Sequence, residues 1–145
     1  MAQHIATLEK KKPVALIGDL NVAPLDADIW NFDAKHIPKS AGTTPREREN
    51  YRRLIGAGSE EEEKDPLATV MCDAFRAVHA EATGCFSYWS VRAGNKPLNR
   101  GLRLDHALVS ASIARGDSSV GLLDCQLFPD FAPSGDHCPI ALYLC

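Results

Sequence analysis

The sequence predicts a layered domain of helices and strands, α/β or α+β in class, and three features carry that expectation. Short apolar or aromatic runs recur at five places, a strong helix start separates the first run from the others, and 145 residues suit one core. The first run, residues 14–20, lies between Pro13 and the polar step at 18–21, so it reads as a buried strand ending in polar side chains. Residues 31–44 mix Pro, Gly, Ser and Thr and read as a long surface loop. Thr44, Pro45 and Glu47 have the spacing of a capping box with proline at the first helical position, so a helix is expected from there to near Gly56. Four consecutive glutamates at 60–63, flanked by Gly, Ser and Pro, read as a solvated loop, with an acidic cation cluster as the alternative. A short helix is expected over 67–79 and an aromatic strand over 85–91. Three further strands are expected over 102–110, 120–128 and 139–144. Together these give a mixed sheet of about five strands flanked by two helices.

Composition narrows the function classes. Apolar and charged fractions of 45% and 24% are those of a globular domain. A net charge of -3 lacks the basic footprint of a general nucleic-acid binder, so any DNA contact must come from a local patch. The five cysteines are odd in number and form no CxxC pair, which points to neither a disulfide framework nor a zinc site. Free thiols fit a reducing compartment. The first residues contain no long apolar run, so neither a secretory signal nor a membrane span is expected. The expected location is the nucleus or another reducing compartment.

Four clusters could carry chemistry. Asp19 and Asn21 stand at the end of the first strand, on the same side of the chain. Together they offer an anionic acceptor and a neutral donor, able to orient a water and touch a phosphoryl oxygen; an Asx turn is the alternative. Asp136 and His137 precede the last strand and, being adjacent, point to opposite sides. One could hold a metal while the other faces a substrate, or both could be ordinary loop residues. Asp105 enters an apolar strand and needs a partner there. His137 is one candidate, which would fix the histidine's tautomer and let it meet a phosphate as imidazolium; Arg103 or Arg100 is the other. Finally, Arg92, Lys96, Arg100 and Arg103 lie in a stretch without acids, just after Tyr88 and Trp89. That suits phosphate contact plus stacking on an exposed nucleotide, or else a solvated loop over core aromatics.

The segments GDLNVAP, GTTPRER, FSYW, NRGLRLDHALVS and GDHCPIALYL occur in this order and resemble the second half of exonuclease III-type abasic-site endonucleases, of the endonuclease/exonuclease/phosphatase superfamily. The resemblance runs from about residue 14 to the last. It implies one half of a four-layer α/β sandwich and hydrolysis of the phosphodiester 5′ to an abasic site, leaving a 3′ hydroxyl. A 3′–5′ exonuclease activity belongs to the same expectation. By the resemblance, Asp19 acts on the attacking water or leaving group, and Asn21 holds the water or stabilises the transition state. Asp105 orients His137, and His137 contacts the scissile phosphate. Asp136 ligates Mg2+ (or Mn2+), with Asp19, Asn21 and His137 completing the metal environment. Tyr88, Leu102 and Leu104 wall the pocket for the abasic sugar, and Arg92 reaches into the DNA groove. Double-stranded DNA with abasic sites is the implied partner.

Some positions depart from the family pattern. Phe32 stands where proline is common, His106 replaces a frequent tyrosine, residues 33–40 do not align with the family's DNA-contact loop, and the loop through 60–63 looks inserted. The family's first half carries an asparagine, a metal-binding glutamate and a tyrosine for which residues before Val14 offer no counterpart, Glu9 included. The expectation is therefore a C-terminal half-domain, spanning 1–145, that needs a complementary N-terminal half. Alone, it would expose an apolar sheet face larger than soluble monomers usually show and would turn over little substrate. The rival readings are another superfamily phosphodiesterase or phosphatase, acting on RNA, phosphoinositides or sphingomyelin, and a non-catalytic DNA-binding or regulatory module.

Overall fold

A computed structural model describes residues 1–56, 71–131 and 135–145. The glutamate run at 60–63 and the first residues of the segment 67–79 lie outside them. The elements in chain order are α1 (Ala2–Glu9), β1 (Ala15–Asp19), α2 (Pro45–Leu54), β2 (Met71–Asp73), α3 (Ala74–Val78), β3 (Asp105–Ser110), α4 (Ala111–Arg115), β4 (Leu122–Leu127) and β5 (Ile140–Leu144).

β3 is the centre of the molecule. All six of its residues are buried, and β1 and β2 pair antiparallel along its two edges. With both edges taken, β3 meets the remaining strands only through its faces. On one face, Leu108 packs with Ile5 of α1, Tyr51 of α2 and Met71. On the other, Ala107 and Val109 pack with Phe75, Ile113 and Cys125, and with Ile140 and Leu142 from the β4–β5 pair. The layered α/β class therefore holds, but the single mixed sheet does not. Among the described residues, five strands divide into a three-stranded and a two-stranded sheet, both antiparallel.

α2 begins as its sequence dictates. Thr44 Oγ1 accepts from the Glu47 amide at 3.3 Å, and Glu47 Oε2 accepts from the Thr44 amide at 3.0 Å. Its hydrogen bonds to Thr44, working against burial, hold the Glu47 carboxyl below the ordinary range. The segment 67–79 is corrected over its described residues: Met71–Asp73 is a strand, and Ala74–Val78 is helical. Asp73 stops the strand and caps the helix, its Oδ1 accepting from the Arg76 amide at 3.2 Å.

The aromatic segment 85–91 is not a strand either. It is pinned by single bridges, Tyr88 to Leu102 and Tyr88 to His137, while Leu102 bridges Ile29 on its other side. The strand expected from 102 accordingly begins only at Asp105. Gly101 permits this close approach, because a Cβ there would lie 2.6 Å from the Phe86 Cβ and 2.7 Å from the Tyr88 carbonyl oxygen. No helix among the described residues is long and apolar enough to cross a membrane.

Candidate active site

The β1–β3 register places Asp19 directly opposite Asp105. Alternation along β3 turns Asp105 away from the face that carries His106 and Leu108. The bridge between Tyr88 and His137 then lays His137 beside Asp105, and His137 Nδ1 donates to Asp105 Oδ2 at 2.7 Å. An ionised carboxylate can only accept, so this contact fixes the proton on Nδ1 and turns Nε2 outward. Nε2 lies 4.0 Å from Asp19 Oδ2. The Tyr88 ring tilts over the imidazole, with centroids 5.0 Å apart. Ser87 supports the floor: its Oγ accepts from the amides of Leu104 and Asp105, both at 2.9 Å.

Asn21 follows the strand in a left-handed conformation, φ 51°, which asparagine tolerates better than most residues. Its amide donates to Asp19 Oδ1 at 2.8 Å and its side-chain Nδ2 to Asp19 Oδ2 at 3.0 Å. The two residues thus form the Asx turn, which holds the Asp19 carboxylate in place at the strand end.

Asp19, Asp105 and His137 place one ligand atom each within 4.8 Å of one another. Two carboxylates and an imidazole beside open solvent suit a divalent cation, whose remaining positions water can fill. Asp136 is exposed on the other side of the 136–137 step and stands outside this close group. Leu104 is buried in the core beneath with Ile29 and Ile37, whereas Tyr88 and Leu102 are half-buried at its edge. Arg92 is exposed on the neighbouring loop.

Two expectations for the basic stretch change. Trp89 is only 3% exposed and packs with Phe86 and Cys138, so it is not a stacking surface. Arg103 is fully buried and leaves the surface patch altogether. It does not pair with Asp105. Its Nε donates to Asp28 Oδ1 at 2.7 Å and its second terminal nitrogen to Asp73 Oδ2 at 2.7 Å. That frees Asp105 for His137.

Around Arg103 lies a buried polar network absent from the sequence reading. Arg76 binds Asp28, Tyr51 donates its hydroxyl to Asp73 at 2.8 Å, and His106 Nε2 contacts the Val22 carbonyl at 2.8 Å. Burial pushes the Asp73 carboxyl up, but His106 and the Arg103 charge outweigh it and hold the group well below the usual range. Burial and the Asp73 charge raise the Tyr51 hydroxyl. Burial, with a smaller push from Asp73, takes the Cys125 thiol up to about 12, so it is an inert core thiol. A pair of aspartates 45 positions apart cannot be assigned to one arginine from sequence alone. The only local signal was a charge at 103 in an apolar run.

Layered α/β packing brings two carboxylates, an amide and a carboxylate-held histidine together at one strand end. The chain belongs to the endonuclease/exonuclease/phosphatase family, whose sequence profile matches residues 3–137. It is 35% identical over 144 residues to an exodeoxyribonuclease of Bacillus subtilis, covering 99% of this chain and 49% of that protein. It is 32% identical over 141 residues to the DNA repair nuclease APEX1 of Danio rerio, covering 97% of this chain and 39% of that one. Among solved structures, an AP endonuclease from Leishmania major superposes with a TM-score of 0.71 at 30% identity, over 88% of this chain and 34% of that one. A 3′–5′ exonuclease from Neisseria meningitidis shares the fold, with a TM-score of 0.77 at 23% identity, over 98% of this chain and 49% of that one. The chain spans about half the length, or less, of these relatives.

Proposed function

We propose that this site hydrolyses a DNA phosphodiester on the 5′ side of an abasic residue, leaving a 3′ hydroxyl, with 3′–5′ exonuclease action as a second use of the same groups. The observation that carries the reading is the Asp105–His137 contact of 2.7 Å beside the Asn21-held Asp19. In this reading His137 Nε2 meets a non-bridging oxygen of the phosphate, and Asp105 keeps the ring in place. Asp19 takes the proton of the attacking water, and the Asn21 amide stabilises charge as it builds on the phosphorane. Mg2+ or Mn2+, held by the carboxylates of Asp19 and Asp136 with Asn21 beside them, would supply positive charge to the phosphate and a more acidic water. Tyr88 and Leu102 form the wall for the abasic sugar, over Leu104, and Arg92 contacts the duplex.

The reading extends to a half-domain that works with a complementary N-terminal half, in the nucleus or another reducing compartment. Ile17 lies on the same side of β1 as Asp19 and is 49% exposed, although its partner Ala107 is fully buried. An apolar strand face left open beside a catalytic carboxylate fits a missing sheet. The same observation favours the second reading, a non-catalytic binding module. Incubation with an abasic-site duplex and Mg2+ separates them. The expected result is little turnover by this chain alone and strong cleavage after co-expression with the N-terminal half of a relative. Robust turnover alone removes the half-domain claim; metal-independent binding without cleavage in the reconstituted protein removes the enzyme.

A further inference from the structure

The aromatic partner of the basic loop comes from a distant part of the chain. Trp30 is 43% exposed, and its ring lies under the Arg100 guanidinium, 5.2 Å from centroid to carbon. That is within cation–π range, and it fixes both side chains without burying the outer ring surface. The backbone holds them there. The Trp30 amide donates to the Gly101 carbonyl at 3.1 Å, and neighbouring Ile29 bridges Leu102. Leu102 in turn bridges Tyr88, and Tyr88 bridges His137. Three interstrand steps of about 4.8 Å place Trp30 on the order of 14 Å from His137, about four base steps along a duplex.

The charge around the pair fits an anion. Residues 92–103 contain no acid, and with Arg103 buried, Arg92, Lys96 and Arg100 remain outside the core. Exposed indole, stacked arginine and flanking cations are the elements of a single-strand stacking platform.

We propose that Trp30 and Arg100 form a stacking subsite for one unpaired nucleobase of the substrate strand, a few nucleotides from the scissile phosphate, with Arg100 also neutralising the adjoining phosphate. The subsite rests on the DNA-hydrolase reading above and adds to it a preference for frayed or single-stranded flanks. It assigns to Trp30 the role that sequence order alone would give to Trp89.

The two tryptophans of the chain make the test direct, since Trp30 is exposed and Trp89 is buried. Tryptophan emission is followed while an abasic-site duplex is added, with and without a single-stranded extension. The wild type should be quenched, more strongly with the extension. Trp30→Ala should lose the quenching and weaken binding about 5- to 150-fold, whereas Trp30→Phe keeps most of the affinity. Arg100→Ala should weaken binding and reduce the salt slope by about one. Unfolding curves matching wild type confirm that the exposed substitutions leave the fold intact. Wild-type binding with no quenching, or equal affinity in Trp30→Ala, overturns the subsite but leaves the hydrolase reading standing. No binding to any DNA probe, by the wild-type chain alone or reconstituted with the N-terminal half of a relative, overturns the reading on which the subsite rests.

Discussion

Asp105 and His106 are neighbours in the chain and opposites in the structure. Asp105 points to one side of the strand, where it holds His137 beside Asp19. His106 faces the interior, where it joins Tyr51, Arg103 and Asp73 with no solvent exposure. Both regions are built from aspartate and histidine. What separates them is access and completeness. The inner network sets two aspartates against Arg103 and Arg76 inside the protein, where a substrate does not reach them. The outer cluster leaves His137 Nε2 and the Asp19 carboxylate turned to solvent. β3 therefore packs into the core on both faces, and only its first residue, Asp105, reaches the outer cluster.

The comparison breaks most sharply under substitution. His137→Ala should lower cleavage by the reconstituted enzyme about 10²- to 10⁴-fold while costing about 1–3 kcal/mol of unfolding free energy, because Asp105 loses its hydrogen-bond partner. Steady-state cleavage and urea denaturation on one preparation check both halves. Arg103→Met should do the reverse at the level of the fold. It strands two buried carboxylates and should cost about 3–5 kcal/mol, read as a lower urea midpoint or loss of soluble protein.

Acid titration sharpens the contrast. The Asp73 carboxyl is held below its unfolded value, so its contribution is fully present above about pH 4 and fades as pH falls through the lowered value. Wild-type stability should therefore drop steeply below about pH 4, and Asp73→Asn should be less stable at neutral pH with a shallower acid slope. The smallest effect is expected at the hinge between the regions. Gly101→Ala pushes a methyl into Phe86 and Tyr88 and should cost about 1–3 kcal/mol by thermal unfolding, with cleavage falling as Tyr88 shifts from His137.

The outer cluster was the more legible region. Asp19, Asn21, Asp105 and His137 sit in short motifs at strand ends; local pattern leaves turns and ion pairs open there, and the ordered resemblance to the family groups them. The inner network was hidden because Asp28 meets Arg103 across 75 positions, through a loop with no periodicity. A similar separation along the chain hid Trp30 from Arg100. Helix α2 was readable because a capping box is local. The segment 67–79 misled because the decisive event is tertiary: Asp73 ends a strand by joining a buried ion network. The strand at 85–91 failed for a similar reason, since Gly101 draws Tyr88 against Leu102 at one bridge instead of along a ladder.

Paramagnetic Mn2+ distinguishes the two histidine environments most directly. With the chain at neutral pH, titration with Mn2+ should broaden the ring resonances of His137 first, with those of buried His106 still sharp, and Asp19→Ala should abolish the selective broadening. Equal broadening of both rings, or selective broadening that persists in Asp19→Ala, would contradict the assignment of chemistry to the Asp19–Asp105–His137 face of β3.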